Sequence, residues 1–185
     1  MTHENNMHAL HTLAAWSQTR TPWAIVCVSA LALLLAALYF QHVLGHAPCV
    51  RCIYQRTAVI GIFFATLLVL LYPHFVIRGI ALILWGTSAI WGLFQAQEHL
   101  EVIFPETFFI PPCPFFPEFP GFMPLHEWLP MVFDAPGSCS ANEWQFLGMG
   151  MPQWMQVVFS LYIAGWVVAL LAQTVSASLS LKAAK

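Results

Sequence analysis

Four long runs of apolar residues, separated by polar or proline-rich segments, dominate the chain. Each run has about the 20 residues that a helix needs to cross a lipid bilayer. Because lipid offers the backbone no hydrogen-bond partners, such segments are expected as helices rather than as open strands. The pattern therefore predicts an all-α membrane protein with a bundle of four transmembrane helices. The predicted helices cover about Trp23 to Phe40, Ile53 to Tyr72, Val76 to Phe94 and Met155 to Gln173.

The composition favours a lipid environment. Of the 185 residues, 59% are hydrophobic and 8% are charged, whereas a soluble domain has about 25% charged residues. So few charges cannot solvate the surface of a soluble protein of this size. The formal net charge of -2 is too small to indicate a nucleic-acid partner. The eight histidines are scattered without the spacing of a zinc site, so no metal is expected.

The links between the predicted helices differ greatly in length. One short link covers about 41–52, a long one covers about 95–154, and each carries two of the five cysteines. A long loop is usually functional or disordered, and the many Pro, Phe and Trp residues of this one argue against disorder. We expect an N-terminal extension over 1–21, a transmembrane redox domain over 22–174 and a C-terminal tail over 175–185.

Basic residues set the expected orientation, because Lys and Arg are retained on the cytoplasmic side of a membrane. The loop over 95–154 contains no Lys or Arg and holds every acidic residue except Glu4. Both termini are therefore expected in the cytoplasm, and both cysteine-bearing links are expected on the outer face. Four basic residues lie at the two termini or near the link between the second and third predicted helices. They are Arg20, Arg78, Lys182 and Lys185.

A Cys-x-x-Cys pair stands where the second helix meets water, at Cys49-Val50-Arg51-Cys52. Cys52 is expected near the first helical turn, where the helix dipole and free N–H groups stabilise a thiolate. Arg56 lies one turn further on the same face, and Arg51 should make the pair more oxidising. We expect a redox-active pair rather than a static disulfide or half of a metal site.

A second pair, Cys113 and Cys139, lies in the long loop on the same expected face. Taken alone, it is best interpreted as a stabilising disulfide, worth about 3 kcal/mol for a loop of this order. Beside an outward Cys-x-x-Cys, thiol–disulfide exchange between the pairs is favoured. The flanking Pro112 and Pro114 favour an extended, accessible Cys113. The remaining Cys27 lies in an apolar run and is expected to be a small buried hydrophobe.

A short amphipathic helix is predicted inside the long loop. Its apolar face comprises Leu125, Trp128, Leu129 and Val132, which recur at helical spacing. Pro130 limits the helix to a short one. Such a face suits a helix that lies at the membrane interface, and packing against the bundle is the alternative. Either arrangement keeps the loop cysteines near the bilayer surface.

These residues and several further motifs resemble the DsbB family of bacterial disulfide bond formation proteins. The resemblance covers roughly Trp23 to Ala172 in order, with four helices and both cysteine pairs. The N-terminal extension is outside it. The resemblance rests on six motifs. They are Gln41-His42-Val43, Pro48-Cys49-x-x-Cys52-Ile53-Tyr54-x-Arg56, Glu98-His99, Glu127-Trp128-Leu129-Pro130, Trp144-x-Phe146-Leu147-Gly148 and Met151-Pro152-Gln153-Trp154.

The resemblance implies a disulfide-generating enzyme of the bacterial inner membrane with its active site facing the periplasm. A reduced DsbA-like protein with a thioredoxin fold would attack the Cys113–Cys139 disulfide and form a mixed disulfide at Cys113. Cys139 would then exchange with Cys49, which frees Cys52 as a thiolate. Electrons would pass from the loop pair to the membrane pair.

The resemblance also implies a quinone as the final electron acceptor, either ubiquinone or menaquinone, next to Cys52. Arg56 would stabilise the thiolate–quinone charge-transfer state, and His99 would assist at the quinone. His42 and His46 lie on the facing link, where a histidine could relay protons.

Three other interpretations stay open. A DsbI-type paralogue shares the architecture but serves a dedicated DsbA-like partner. A non-catalytic membrane scaffold would use both cysteine pairs as structural disulfides. A metal or haem membrane protein is the third, and the lack of paired histidines within the apolar runs argues against it.

Overall fold

The computed structural model describes residues 15–105, 113–114, 116–140 and 144–183. Four helices in this part of the chain are long and apolar enough to cross a membrane, which confirms the predicted bundle. Most of the predicted N-terminal extension, Pro112 and the last two residues lie outside the described part. In chain order the elements are α1 (Thr21–His42), α2 (Val50–Leu71), α3 (Phe75–Ile103), α4 (Leu125–Trp128), α5 (Pro130–Phe133), β1 (Gln145–Phe146), β2 (Met149–Gly150) and α6 (Met151–Ala183).

Local sequence explains where the long helices begin. Pro22 occupies the first turn of α1, where a missing N–H costs nothing and the fixed φ suits a helix. The α3 helix starts after Pro73, and the His74 ring accepts a hydrogen bond from the Val76 amide at 3.4 Å. The α3 helix also continues to Ile103, well past the predicted end at Phe94, because the polar residues after Phe94 still find partners in the bundle.

The core of the bundle follows the order of the chain. The α2 helix packs against α1 and α3, and α3 packs against α6. Small residues at these contacts let the helices approach closely, as is common where membrane helices associate. Gly92 of α3 lies directly under the fully buried Phe159 ring of α6. The fully buried alanines of the core are Ala30, Ala65, Ala81, Ala89 and Ala96.

Large apolar side chains cover the outer faces of all four long helices. A soluble protein rarely exposes a contiguous apolar surface of this size, whereas a lipid-facing surface requires one. Helix length, hydropathy and this outer surface together describe a multi-pass membrane protein. The exposed apolar residues include Ile25, Leu35, Phe64, Ile83, Ile90, Leu161 and Leu171.

The amphipathic segment of the long loop differs from the single helix that the sequence predicts. Two one-turn helices, α4 and α5, meet at Leu129, which has a non-helical backbone before Pro130. The predicted apolar face is therefore divided. Leu125 and Val132 pack toward the start of α2, whereas Trp128 is exposed.

A short hairpin of β1 and β2 leads into α6. Its two-residue turn has positive φ at both Leu147 and Gly148, as in the tight turns that match strand twist. The Gln153 side chain accepts a hydrogen bond from the Gly150 amide at 2.7 Å. The hairpin thereby fixes where the chain returns from the long loop to the bundle.

Candidate active site

The Cys-x-x-Cys pair forms the start of α2. Cys49 is the N-cap residue, and its sulfur accepts a hydrogen bond from the Cys52 amide at 3.3 Å. Cys52 follows in the first turn, where the sequence predicts it, and the two sulfurs lie 3.0 Å apart as free thiols. The side-chain hydrogen bond with Cys52, together with burial, raises the pKa of Cys49. Cys49 therefore holds its proton more strongly than an ordinary cysteine does.

His99 lies between the two cysteine pairs. Its buried Nε2 atom is 3.6 Å from Cys49 Sγ and 3.1 Å from the carbonyl oxygen of Cys139. Its Nδ1 atom is 3.5 Å from the side-chain amide of Gln55. One imidazole thus contacts a residue of each pair, so it can hold or release a proton where the pairs meet.

The loop cysteines form a disulfide, with the two Cα atoms 6.3 Å apart. Cys139 is almost fully buried, whereas Cys113 is partly accessible. Gly137 fixes this placement, because its amide donates a hydrogen bond to the Pro48 carbonyl at 2.9 Å. A Cβ atom at Gly137 would overlap the Ala47 carbonyl group, so only glycine permits so close an approach.

Arg56 connects three parts of the chain at the outer end of α2. Its guanidinium donates to Gln41 Oε1 at 2.7 Å and to the carbonyl oxygen of Val132. The side chain is only 6% exposed, so its charge acts in a medium that screens it weakly. Arg56 therefore holds the end of α1 and the α5 turn in place while its charge lies beside the cavity described below.

The side chain of Arg51 binds two residues of the neighbouring helix α3. Its guanidinium donates to Gln95 Oε1 at 2.7 Å and forms an ion pair with Glu98, both on α3. Because Glu98 directly precedes His99, the pair also fixes the turn of α3 that carries the imidazole. The expected positive charge within the Cys-x-x-Cys is thus largely compensated by a carboxylate.

A cavity of about 440 Å³ opens beside the cysteines, between α1, the start of α2 and the start of α6. Its volume falls in the range of small-molecule sites. The wall is mostly apolar where α1 and α6 contribute, and polar groups gather at one end. The polar or reactive residues of the lining are Gln41, His46, Cys49, Cys52, Gln55, Arg56, His99 and Ser138.

The sequence-predicted site residues are mostly brought together. Cys49, Cys52 and His99 form one cluster, and Arg56 lines the same cavity as Cys52. Cys139 reaches the cluster through its backbone, and Cys113 is joined through the disulfide.

The two candidate histidines of the short link lie in different surroundings. His46 lines the cavity, whereas the His42 ring contacts the Met131 carbonyl at 2.9 Å. Cys27 is buried in α1, as predicted.

Sequence reasoning missed three contributors to this site. Gln55 and Gln95 are polar residues inside apolar helices, and that position alone is a signal of function in a membrane protein. Both are buried and both bind a site residue. Gly137 carries no such signal, since its role depends on which backbone segment lies against it.

Comparison with known proteins gives matches over most of the chain. The model of a protein family described as DsbB, disulfide bond formation protein DsbB, matches residues 19–169. A disulfide bond formation protein B of Psychromonas ingrahamii is 50% identical over 155 residues, covering 83% of each chain.

Two further relatives carry the same name. That of Pseudoalteromonas atlantica is 46% identical over 154 residues, which is 83% of this chain and 90% of the relative. That of Pectobacterium atrosepticum is 42% identical over 164 residues, which is 89% of this chain and 93% of the relative.

Proposed function

The chain belongs to the DsbB family of disulfide bond formation proteins, and from this premise we propose that it reoxidises a DsbA-like periplasmic protein at the expense of a membrane quinone. The main support for the proposal is that both cysteine pairs lie next to the same residue, His99. Cys139 belongs to the loop pair and Cys49 to the membrane pair, and one imidazole contacts both residues.

The proposed electron path starts at the loop disulfide. A thiolate of the reduced partner forms a bond to Cys113 Sγ, and Cys139 leaves as a thiolate. Cys139 then attacks Cys49 in the oxidised membrane pair, which releases Cys52 as a thiolate. The second partner thiol resolves the mixed disulfide at Cys113. The freed Cys113 thiolate attacks Cys139 in the Cys49–Cys139 disulfide, which restores the loop disulfide and releases Cys49. The partner is then oxidised by two electrons, and the reduced membrane pair carries them.

The accessibility of the cysteines supports this order. Cys113 is the partly exposed member of the loop pair and can be reached by a soluble thiol, whereas Cys139 is buried against the Cys-x-x-Cys. Cys52 lies in the first turn of α2, where free N–H groups stabilise a thiolate. His99 can supply or receive a proton during exchange, because its ring contacts both Cys49 and the Cys139 carbonyl.

The residues of the cavity fit a quinone. An apolar wall suits an isoprenoid chain and a flat ring, and polar donors at one end suit carbonyl oxygens. Arg56 and Gln41 would orient such a ring next to Cys52, and His99 would lie at the same end. A bound quinone supplies a two-electron, two-proton acceptor. Burial of Arg56 keeps a strong, weakly screened positive charge where negative charge gathers.

We place both termini in the cytoplasm and the cavity on the periplasmic side of the inner membrane, with the redox unit spanning 22–174. The asymmetry of basic residues supports this orientation. A membrane-impermeant maleimide tests it with single cysteines introduced at two exposed positions of a variant whose five native cysteines are replaced by serine. Gly121→Cys in the long loop should be labelled in spheroplasts, and Pro73→Cys in the turn between α2 and α3 should be labelled only after lysis. The reverse labelling pattern would show that the termini and the turn between α2 and α3 face the periplasm, which contradicts the proposed orientation.

Quinone reduction by the purified protein tests the function. A reduced thioredoxin-fold dithiol protein serves as electron donor, with short-chain ubiquinone and menaquinone analogues as acceptors. We expect turnover in the unmodified protein, loss in Cys52→Ser and in Cys113→Ser, and retention in Cys27→Ser. A folded protein with intact disulfides that reduces neither quinone would instead be a membrane scaffold.

A further inference from the structure

Three metal-ligating atoms converge at the outer end of α2. Cys49 Sγ, Cys52 Sγ and a ring nitrogen of His99 all lie within 4.8 Å of one another. The two sulfurs are 3.0 Å apart, and Cys49 Sγ is 3.6 Å from Nε2. From this geometry we propose that the reduced Cys-x-x-Cys pair and His99 bind Zn²⁺.

The spacing of the three atoms suits a tetrahedral ion. Zinc bonds of about 2.3 Å to sulfur and about 2.0 Å to nitrogen place a sulfur and a nitrogen ligand about 3.6 Å apart. The Cys49–His99 distance already has this value. Two sulfur ligands should be about 3.8 Å apart by the same bond lengths, so the thiols must separate slightly. Rotation of the Cys52 side chain, the less buried of the two, supplies this movement.

Neighbouring groups complete such a site. A ligating histidine usually donates its other N–H to an oxygen of the protein, and the Gln55 amide lies 3.5 Å from Nδ1. Its oxygen can accept the Nδ1–H and leave Nε2 free to bind the ion. The carbonyl oxygen of Cys139, 3.1 Å from Nε2, borders the fourth position. An oxygen ligand there, from this carbonyl or from water, closes the tetrahedron.

The charges are also compatible with a divalent cation. Two thiolates neutralise Zn²⁺ within the site, which lowers the cost of placing the ion in a poorly solvated region. Arg51 would otherwise repel the ion, but its guanidinium is paired with Glu98. Arg56 directs its donors toward Gln41 and Val132.

Binding exchanges protons for the metal and involves no electron transfer. Two thiols lose their protons to solvent as two zinc–sulfur bonds form. A Cys49–Cys52 disulfide offers no thiolates, so only the reduced pair is a ligand set. Zinc then occupies the sulfurs that the proposed function needs. The inference extends that function with a reversible block that depends on the redox state.

A metal titration of the full-length protein in detergent tests this inference without quinone or partner. The parent variant, Cys113→Ser/Cys139→Ser, removes the loop thiols. After reduction and removal of the reductant, Zn²⁺ is titrated against a chromophoric chelator. We expect one ion per chain in the reduced variant and none after oxidation of the remaining pair. Equal binding by the oxidised protein would overturn the proposal.

Variants identify the ligands. Adding Cys52→Ser should abolish binding, and adding Cys27→Ser should leave it unchanged. His99→Gln should weaken binding by more than the roughly 10–100-fold that loss of an outer-shell partner causes, and His99→Cys should restore it. Cobalt in place of zinc should give sulfur-to-metal charge-transfer absorption that disappears in Cys52→Ser. Unchanged affinity in His99→Gln, or loss in Cys27→Ser, would contradict the assigned site. Failure here leaves quinone reduction untouched, so the two proposals are tested separately.

Discussion

The Gly137 amide donates a hydrogen bond to the Pro48 carbonyl at 2.9 Å, and this contact seats the loop pair against the Cys-x-x-Cys. Gly137→Ala places a Cβ where the Ala47 carbonyl group lies, so the loop must move away. We expect turnover with a dithiol partner to fall by about tenfold or more, as small misplacements at a reacting centre can cost up to about a hundredfold. Steady-state quinone reduction measures the effect.

Gly121→Ala provides the matched control for that variant. Gly121 lies in the same loop, and nothing lies within 4 Å of a Cβ added there. Its turnover should equal that of the unmodified protein. Direct reduction of the membrane pair by dithiothreitol should be unaffected in Gly137→Ala. If Gly137→Ala turns over normally, the docked loop is not required for exchange between the pairs.

Arg51 and Glu98 should shift the redox equilibrium of the membrane pair in opposite directions. Arg51→Leu removes a positive charge near the thiolate and leaves a carboxylate, so the Cys49–Cys52 couple should become more reducing. Glu98→Gln leaves the guanidinium uncompensated, so the couple should become more oxidising. We expect a change of about tenfold in the equilibrium constant, which is about 30 mV for a two-electron couple.

Equilibration of each variant with a glutathione buffer measures that shift. A Gln95→Leu variant separates charge from packing, because Gln95 binds the same guanidinium without a charge. It should move the equilibrium less than either charged variant. Shifts of the same sign in Arg51→Leu and Glu98→Gln would show that packing, not charge, sets the potential.

Arg56 should determine how well the protein uses quinone. Arg56→Gln removes the charge from the cavity and leaves the Gln41 side chain and the Val132 carbonyl without this donor. A charged hydrogen bond contributes about 1.5–3 kcal/mol, so we expect at least about a tenfold higher KM for quinone. Arg78→Gln is the control, because Arg78 binds Gln18 at the other end of the bundle. A similar KM in both variants would remove Arg56 from the quinone site.

Gly92 should be essential for packing of α3 against α6. A Cβ there would overlap the ring of Phe159, which is fully buried. Overpacking of this kind costs about 1–3 kcal/mol, so Gly92→Ala should unfold at a lower temperature in detergent. Gly79→Ala has open space around the new Cβ and should unfold like the unmodified protein. Equal melting temperatures would show that the two helices can separate slightly without loss of stability.

The membrane helices were predictable because hydrophobicity and length alone define a spanning segment. The same physics explains the errors at their ends. The α3 helix continues past Phe94 because Gln95, Glu98 and His99 are polar yet find partners on α2, which hydropathy cannot register. Likewise, periodicity suggested one continuous face around Pro130, but the backbone at Leu129 leaves the helical region there and turns part of that face outward.

The candidate site was predictable only as far as helix geometry extends. Arg56 and Cys52 share a face because four residues make about one turn. Contacts between distant segments have no such rule. The Arg51–Glu98 pair and the Gly137–Pro48 hydrogen bond join residues far apart in sequence, so they depend on how the loop and helices assemble. These two contacts help to hold the loop pair and the membrane pair of cysteines close to each other.

Cys49, the N-cap residue of α2, accepts a hydrogen bond from the Cys52 amide and is also a reacting residue of the proposed mechanism. When that sulfur enters a disulfide it is a weaker acceptor than a thiol or a thiolate, so the Cys52 amide should be held less strongly. The strength of a backbone hydrogen bond in the first turn of α2 thus depends on the redox state of Cys49. Hydrogen exchange at this one amide should therefore differ between the reduced protein and a trapped mixed disulfide.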